Sequence, residues 1–251
     1  MKYVRFRKDD EVYFGVLKGD SITQLDGDYI KGETRPLSTE FALGEVEVLT
    51  PVVPGQVIGI GLNYELHAKE TGKPIPEEPM MFMASPSAIV AHETDIELPS
   101  IDHRIDYEAE LVIVIGEEAK NLKKDEALSY IFGYTVGNDV SDRDLQKKDG
   151  QFTRAKSFGT FKPLGPVIET ELDPNNVPIQ LKLNGEVKQK SNTNDLIHDI
   201  AELVVKVTEV MTLMPGDVIY TGTPSGVGPL SPRDVVEAEV DGIGILRNRV
   251  K

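Results

Sequence analysis

The chain has 251 residues, with 42 acidic against 27 basic side chains, a formal charge of -15 and no cysteine. So acidic a chain repels polyanions, which excludes nucleic acid as an expected partner, and an anionic substrate must be drawn in by local cations or a metal. The missing cysteine excludes disulfides, thiolate zinc sites and a cysteine nucleophile together, leaving oxygen and imidazole as metal ligands.

The length suits one large domain, or a large domain with a small appendage. The first residues, from Met1 to Gly15, alternate charged with β-branched or aromatic side chains and lack the apolar core of a signal peptide. No stretch approaches the ~20 apolar residues of a membrane span. A cytoplasmic protein with no membrane partner is the expectation.

From Lys2 to Asp26 the pattern has period two, with Tyr3, Arg5 and Arg7 opposite Val4 and Phe6, then Val12 to Leu17 and Ser21 to Leu25. This predicts three short antiparallel strands. The segment from Asp28 to Glu45 reads as polar and irregular. Pro51, Pro54 and Gly55 then punctuate the chain before an apolar strand, Val57 to Ile60. A soft boundary near residue 50 therefore divides a small N-terminal β domain, 1–50, from a larger one, 51–251.

Further strands are predicted at Met80 to Met83, Ala88 to Ala91, Glu108 to Ile115, Thr135 to Asn138, Ile179 to Leu183, Asp217 to Thr221, Val235 to Val240 and Gly244 to Val250. Asn184-Gly185 between apolar-alternating segments is a two-residue hairpin signal. Helical periodicity is confined to Lys124 to Tyr130 and Ile200 to Met211, the latter with Asp199 as N-cap and Pro215-Gly216 as stop. The fold class expected is mixed α/β, mostly β, without the alternation of a doubly wound sheet.

The run Asp106-Tyr107-Glu108-Ala109-Glu110-Leu111 continues into Val112-Ile113-Val114-Ile115, as in a strand buried on both faces. Glu108 and Glu110 fall on one face of the pleat, roughly 7 Å apart from the strand rise, and repel unless a cation lies between them. The strand from Tyr134 ends in Asp139, a third acid that can come alongside. Three hard oxygen ligands suit Mg²⁺ or Mn²⁺ better than zinc. Asp106 shares the same parity and is an equal candidate on spacing alone, and a solvated strand end is the other reading of these acids.

Five ordered segments carry a resemblance: Gly61-Leu62-Asn63-Tyr64 followed by His67 and Glu70, Asp106 to Leu111, Gly137 to Gln146, Ala155-Lys156-Ser157-Phe158, and Thr221 to Gly228. Together they resemble the fumarylacetoacetate hydrolase family over roughly residues 50 to 250. The resemblance implies that family's wound, mixed β-sheet as the catalytic domain, assembly as a homodimer, and Glu108, Glu110 and Asp139 as the metal ligands, with Asp106 a neighbour. It further implies that His67 and Glu70 are a catalytic pair on a short lid helix, that Lys156 is catalytic, and that Arg143, Gln146 and Thr223 contact substrate. Gly159, where many members have Asp, and Leu145, where an aromatic residue is frequent, are departures that bear on the substrate rather than the metal.

A 2-oxo acid can chelate a cation through its carboxylate and carbonyl oxygens, and the cation stabilises the enolate formed when a bond to the adjacent carbon breaks. The function expected is divalent-metal-dependent carbon–carbon cleavage of a small 2-oxo acid, as acylpyruvate hydrolysis or oxaloacetate decarboxylation. Isomerisation or tautomerisation of a hydroxydienedioate uses the same intermediate and is the alternative, with noncatalytic metabolite binding as a third. Lys156 would add positive charge where negative charge develops. His67 and Glu70, three apart, share a helix face, so the carboxylate can orient the imidazole to take a proton from water. Arg143 is a natural fork for a substrate carboxylate, although the flanking Asp142 and Asp144 offer it ion pairs. His92, His103 and His198 lack such context and are expected to be structural or exposed. The composition of Leu66 to Glu78 suits a lid. The Thr223 turn lacks a Gly-Lys-Ser/Thr ending, and no Gly-x-Ser-x-Gly elbow occurs, so neither a nucleotide loop nor a serine nucleophile is expected.

Overall fold

A computed structural model describes residues 1–99 and 102–251. Among the described residues the chain is mostly β, with three short α-helices: α1, Glu65–Thr71; α2, Arg143–Asp149; and α3, Ile200–Val210. Most strands join one twelve-stranded sheet. Its main path runs 36–42, 21–25, 11–18, 2–8, 162–169, 131–138, 109–115, 218–220, 57–61 and 80–84. A five-stranded sheet (186–192, 178–183, 235–240, 244–250, 95–96) and a three-stranded one (141–142, 105–107, 228–229) accompany it. Among the described residues, no helix is long and apolar enough to cross a membrane.

Strand 109–115 is the axis of the large sheet. It pairs antiparallel with 131–138 on one side and 218–220 on the other, and all seven of its residues are buried. Ala109, Leu111, Ile113 and Ile115 enter one core cluster while Val112 and Val114 enter the other, so the unbroken apolar run reflects a core on each face. The N-terminal hairpins belong to the same sheet. Tyr3 pairs with Ile168 and Lys2 with Glu169, so the ladder crosses from the first strand into the rest of the chain.

Local rules account for most elements. Asn184 and Gly185 both have positive φ (53° and 82°) and turn the 178–183/186–192 hairpin, as a type I′ turn requires. Asp199 caps α3 by accepting the Glu202 N–H. That helix stops at Val210, ahead of Pro215, because Met211 is extended and Leu213 exchanges backbone hydrogen bonds with Ala119.

Other segments depart from expectation. Pro36–Ala42, read as irregular, is a strand paired to 21–25, and its exposure hides any alternation of burial. Lys124 to Tyr130 is not an α-helix, since only Ala127–Tyr130 forms one 3₁₀ turn with Ala127 its single buried residue. Helix α2 was not foreseen. It is a highly charged seven-residue helix with no buried residue, started by Asp142, which accepts the Leu145 N–H, and ended at Gly150 in the left-handed region. Lys162–Glu169 was also missed, because Pro163 and Pro166 argue against a central strand. The strand expected from Glu108 to Ile115 is present as Ala109–Ile115 in the large sheet, and the chain breaks at Glu108 because Ile105–Tyr107, just before it, belongs to the three-stranded sheet.

Candidate metal centre and active site

That break places the first acid. Glu108 sits at the join between two sheets, its N–H donating to Asn138 Oδ1 (2.9 Å) and its carbonyl accepting the Asp139 N–H (2.8 Å). Glu110 opens the buried strand beside it, and Asp139 follows the paired strand 131–138. Glu108, Glu110 and Asp139 are all buried, and each offers a carboxylate oxygen within 4.8 Å of the others. Gly137, next to them, is bare for a packing reason: a Cβ there would lie 2.4 Å from the Tyr220 ring and 2.6 Å from Val112.

Three buried carboxylates need positive charge, and the structure supplies it unevenly. Lys156 Nζ donates to Glu108 Oε2 (2.9 Å) and to Asp139, while Lys162 Nζ pairs with the other Asp139 oxygen. Arg143 bonds Glu108 through one nitrogen and Asp106 through Nε (2.8 Å). Burial alone would raise the Glu108 pKa, but Arg143 and Lys156 outweigh it and hold the group down to about 2. Glu110 goes the other way. Burial first, then the charges of Asp139 and Glu108, push it well above the usual carboxylate range. It accepts the Gly222 N–H at 2.7 Å, and no cationic side chain among the described residues pairs with it. Burial disfavours the charged form of Lys156 as well, yet Asp139 and Glu108 prevail and raise its pKa, so it stays an ammonium.

This donor set fits a hard divalent cation. All three groups are carboxylates, they converge within a single coordination shell, and Glu110 is a buried acid that no cationic side chain among the described residues pairs.

The remaining candidates surround the same place. Lys156 lies 4.9 Å from the centroid of the Phe82 ring, a cation–π contact, and Phe82 meets Phe152 edge-on. Thr223 Oγ1 donates to the Ala109 carbonyl (2.9 Å) and accepts from Gln189 Nε2 (2.8 Å), so its proton is committed to the protein. Gln146 Oε1 accepts from Arg143 (2.8 Å). Arg143 thus turns to Asp106 and Glu108, and not to the flanking acids. Asp142 caps α2 and meets His103 Nδ1 (2.7 Å), and Asp144 accepts the Arg104 N–H. On α1, His67 Nδ1 lies 3.1 Å from Glu70 Oε2.

A small pocket of about 60 Å³ lined by Glu108, Glu110, Arg143, Gln146, Lys156, Thr223 and His67 sits at the bottom. It opens into a cleft of about 700 Å³ between α1 and α2.

Of the other histidines, His198 is buried against Glu202 (2.8 Å) and His92 Nδ1 accepts the Arg247 N–H (3.1 Å). Sequence reasoning missed Lys162, Phe82, Asn138 and Gln189. Only Lys162 left a trace, as a lysine in the apolar run Phe161-Lys162-Pro163-Leu164, where a charge must be paired to be buried.

Such an arrangement defines a mostly β protein with a buried carboxylate centre under a cleft. A family model described as "Fumarylacetoacetate (FAA) hydrolase C-terminal" matches residues 56–251, and one described as "Rv2993c-like, N-terminal" matches residues 1–51. The chain belongs to the fumarylacetoacetate hydrolase family, whose members are enzymes. It is 56% identical over 214 residues to an uncharacterized protein of Methanocaldococcus jannaschii, covering 85% of this chain and 90% of the relative. It is 40% identical over 232 residues to the mitochondrial oxaloacetate tautomerase FAHD2A of Bos taurus, covering 86% and 74% respectively. Among solved structures it resembles a 5-carboxymethyl-2-hydroxymuconate delta-isomerase from Mycobacterium smegmatis, with a TM-score of 0.93, 41% identity and coverage of 100% of this chain and 99% of that one.

Proposed function

We propose that this chain is an enzyme of small 2-oxo acids, holding Mg²⁺ or Mn²⁺ on Glu108, Glu110 and Asp139 and moving a proton at the carbon beside the substrate carbonyl. The observation that carries this reading is the convergence of three buried carboxylates beneath a charged lysine at the bottom of a cleft. Bound there, the cation would supply Lewis-acid polarisation of the 2-oxo acid.

The chain's own residues supply the rest. The Lys156 ammonium, fixed by Glu108, Asp139 and the Phe82 face, places positive charge where a substrate oxygen becomes negative. Glu70 orients His67 beside the pocket, where the imidazole can accept or return a proton. Arg143 and Gln146 form the wall against which the acid head packs.

Isomerisation or tautomerisation is the reaction we favour, supported by the likeness to proteins named as a hydroxymuconate delta-isomerase and an oxaloacetate tautomerase. Carbon–carbon cleavage, by acylpyruvate hydrolysis or oxaloacetate decarboxylation, is the second reading. The His67–Glu70 pair favours it, because that geometry suits activation of water for attack on a distal carbonyl. A homodimer in the cytoplasm is the setting we propose.

The test is a metal-dependent screen. Protein stripped with EDTA should lose turnover of enol-oxaloacetate, hydroxydienedioates or acylpyruvates and regain it with Mn²⁺ or Mg²⁺. Turnover indifferent to chelation would remove the proposal.

A further inference from the structure

The deep pocket and the outer cleft differ more than tenfold in size. About 60 Å³ at the carboxylates suits a small head group such as the carboxylate and carbonyl of a 2-oxo acid. Whatever follows in the substrate must extend into the cleft of about 700 Å³. His67, Lys73, Arg143, Gln146 and Phe152 line both spaces and mark the passage between them.

The charges along that cleft are not balanced. Arg143 is bound to Asp106 and Glu108, and Arg104 Nε to Asp106 (2.8 Å). Glu70 is taken by His67 and by the Gly226 N–H. Lys73 and Lys147 remain, and among the described residues neither pairs with an acid. Lys73 follows the left-handed Gly72 that closes α1, its N–H donating to the Ala68 carbonyl (3.2 Å), and Lys147 lies in the last turn of α2. A lysine at the C-terminal end of a helix also suits the helix dipole, which accounts for Lys147 in part. It does not account for Lys73, which lies beyond the end of its helix and reaches from the outer cleft to the deep pocket. In a chain of formal charge -15, two unpaired cations facing one concavity focus positive potential where the far end of a substrate must lie.

We propose that Lys73, assisted by Lys147, forms an anion subsite that receives the distal carboxylate of a dicarboxylic 2-oxo acid. This rests on the reading of the deep pocket as a 2-oxo acid centre, and it assigns to the outer cleft the choice between mono- and dicarboxylic substrates.

The experiment is calorimetric titration of the Mn²⁺-loaded full chain with 2-oxoadipate and 2-oxohexanoate. These share the head group and the chain length, and differ in the distal carboxylate. Wild-type protein should bind 2-oxoadipate about tenfold more tightly, a difference of about 1.4 kcal/mol. Lys73→Gln should remove most of that preference while leaving 2-oxohexanoate affinity within about twofold, and Lys73→Gln with Lys147→Gln should abolish it. Equal affinity of the wild type for the two ligands, or a preference that survives in the double variant, overturns the subsite and leaves the 2-oxo acid reading standing. Failure of both ligands to bind the wild type overturns that reading and the subsite together.

Discussion

Glu70 on α1 accepts the backbone N–H of Gly226 at 3.2 Å, tying the helix that carries His67 to the loop that carries Thr223. Gly226 has φ of 91°, and a Cβ there would lie 2.1 Å from the Lys188 carbonyl oxygen, so the anchor depends on glycine. Because the same carboxylate orients His67, the pair's contribution can be read by substitution. His67→Ala should lower hydrolysis of an acylpyruvate by about 10²-fold or more, the usual scale of a lost general base. Decarboxylation of oxaloacetate, which requires neither an attacking water nor a base at the reacting carbon, should fall less. Steady-state kinetics on both substrates checks this, and equal losses would remove the proposed division of labour.

The carboxylate centre yields two changes of opposite sign. Glu110→Gln mimics the protonated acid that burial and its neighbours favour, so metal-free stability should hold or rise, while Mn²⁺ affinity falls at least about tenfold. Lys156→Met should instead destabilise the metal-free protein by about 3–5 kcal/mol, because it leaves Glu108 and Asp139 short of a buried partner. Thermal melts with and without Mn²⁺, together with calorimetry, measure both. A stabilising Lys156→Met would contradict the charge balance described.

Gly59 is where the Phe82 ring rests. A Cβ on it would stand 2.0 Å from that ring, so Gly59→Ala must push Phe82 aside and with it the aromatic face beneath the Lys156 ammonium. Overpacking of this kind costs about 1–3 kcal/mol. The expected outcome is a lowered Tm together with reduced turnover, whereas full activity in the variant would show that Lys156 needs no aromatic support.

His92 gives a pH prediction away from the centre. Burial depresses its pKa below 6.5, outweighing the opposite pull of Glu93. Over the interval between the folded value and 6.5 the unfolded chain binds more protons, so stability rises with pH. The contribution is complete above about 6.5 and is lost as pH falls through the folded value. His92→Asn, whose Oδ1 can accept the same Arg247 N–H, should flatten that part of the Tm-against-pH curve. An unchanged slope would mean that His92 is not its source.

Periodicity located the strands whose faces differ or whose apolar runs are unbroken, such as 235–240 and 109–115, and the Asn184-Gly185 turn. It failed where geometry is set from outside the segment. Pro36–Ala42 is a strand because 21–25 offers it an edge, and Lys162–Glu169 tolerates prolines because its neighbours on both sides supply the pairing. The site followed the same divide. Residues carrying motif context, Glu108, Glu110, Asp139, Lys156 and His67, lie together in the structure. Lys162, Phe82 and Gln189 reach the centre from strands whose approach only tertiary packing decides, and spacing in the chain holds no record of it. Parity could not separate Asp106 from Glu108 and Glu110, because the break at Glu108 is a property of two sheets meeting and not of the residues around it.

The ladder between Tyr3 and Ile168 has a further meaning for how the molecule can be divided. Cutting the chain after the first fifty residues would take away the partners of Ile168 and Glu169 and bare the edge that the first strand covers at that end of 162–169, two strands from Glu110. The larger fragment should therefore self-associate through that margin when expressed alone, and light scattering would register it. What reads as an appendage in the sequence is, in the folded molecule, a cover strip.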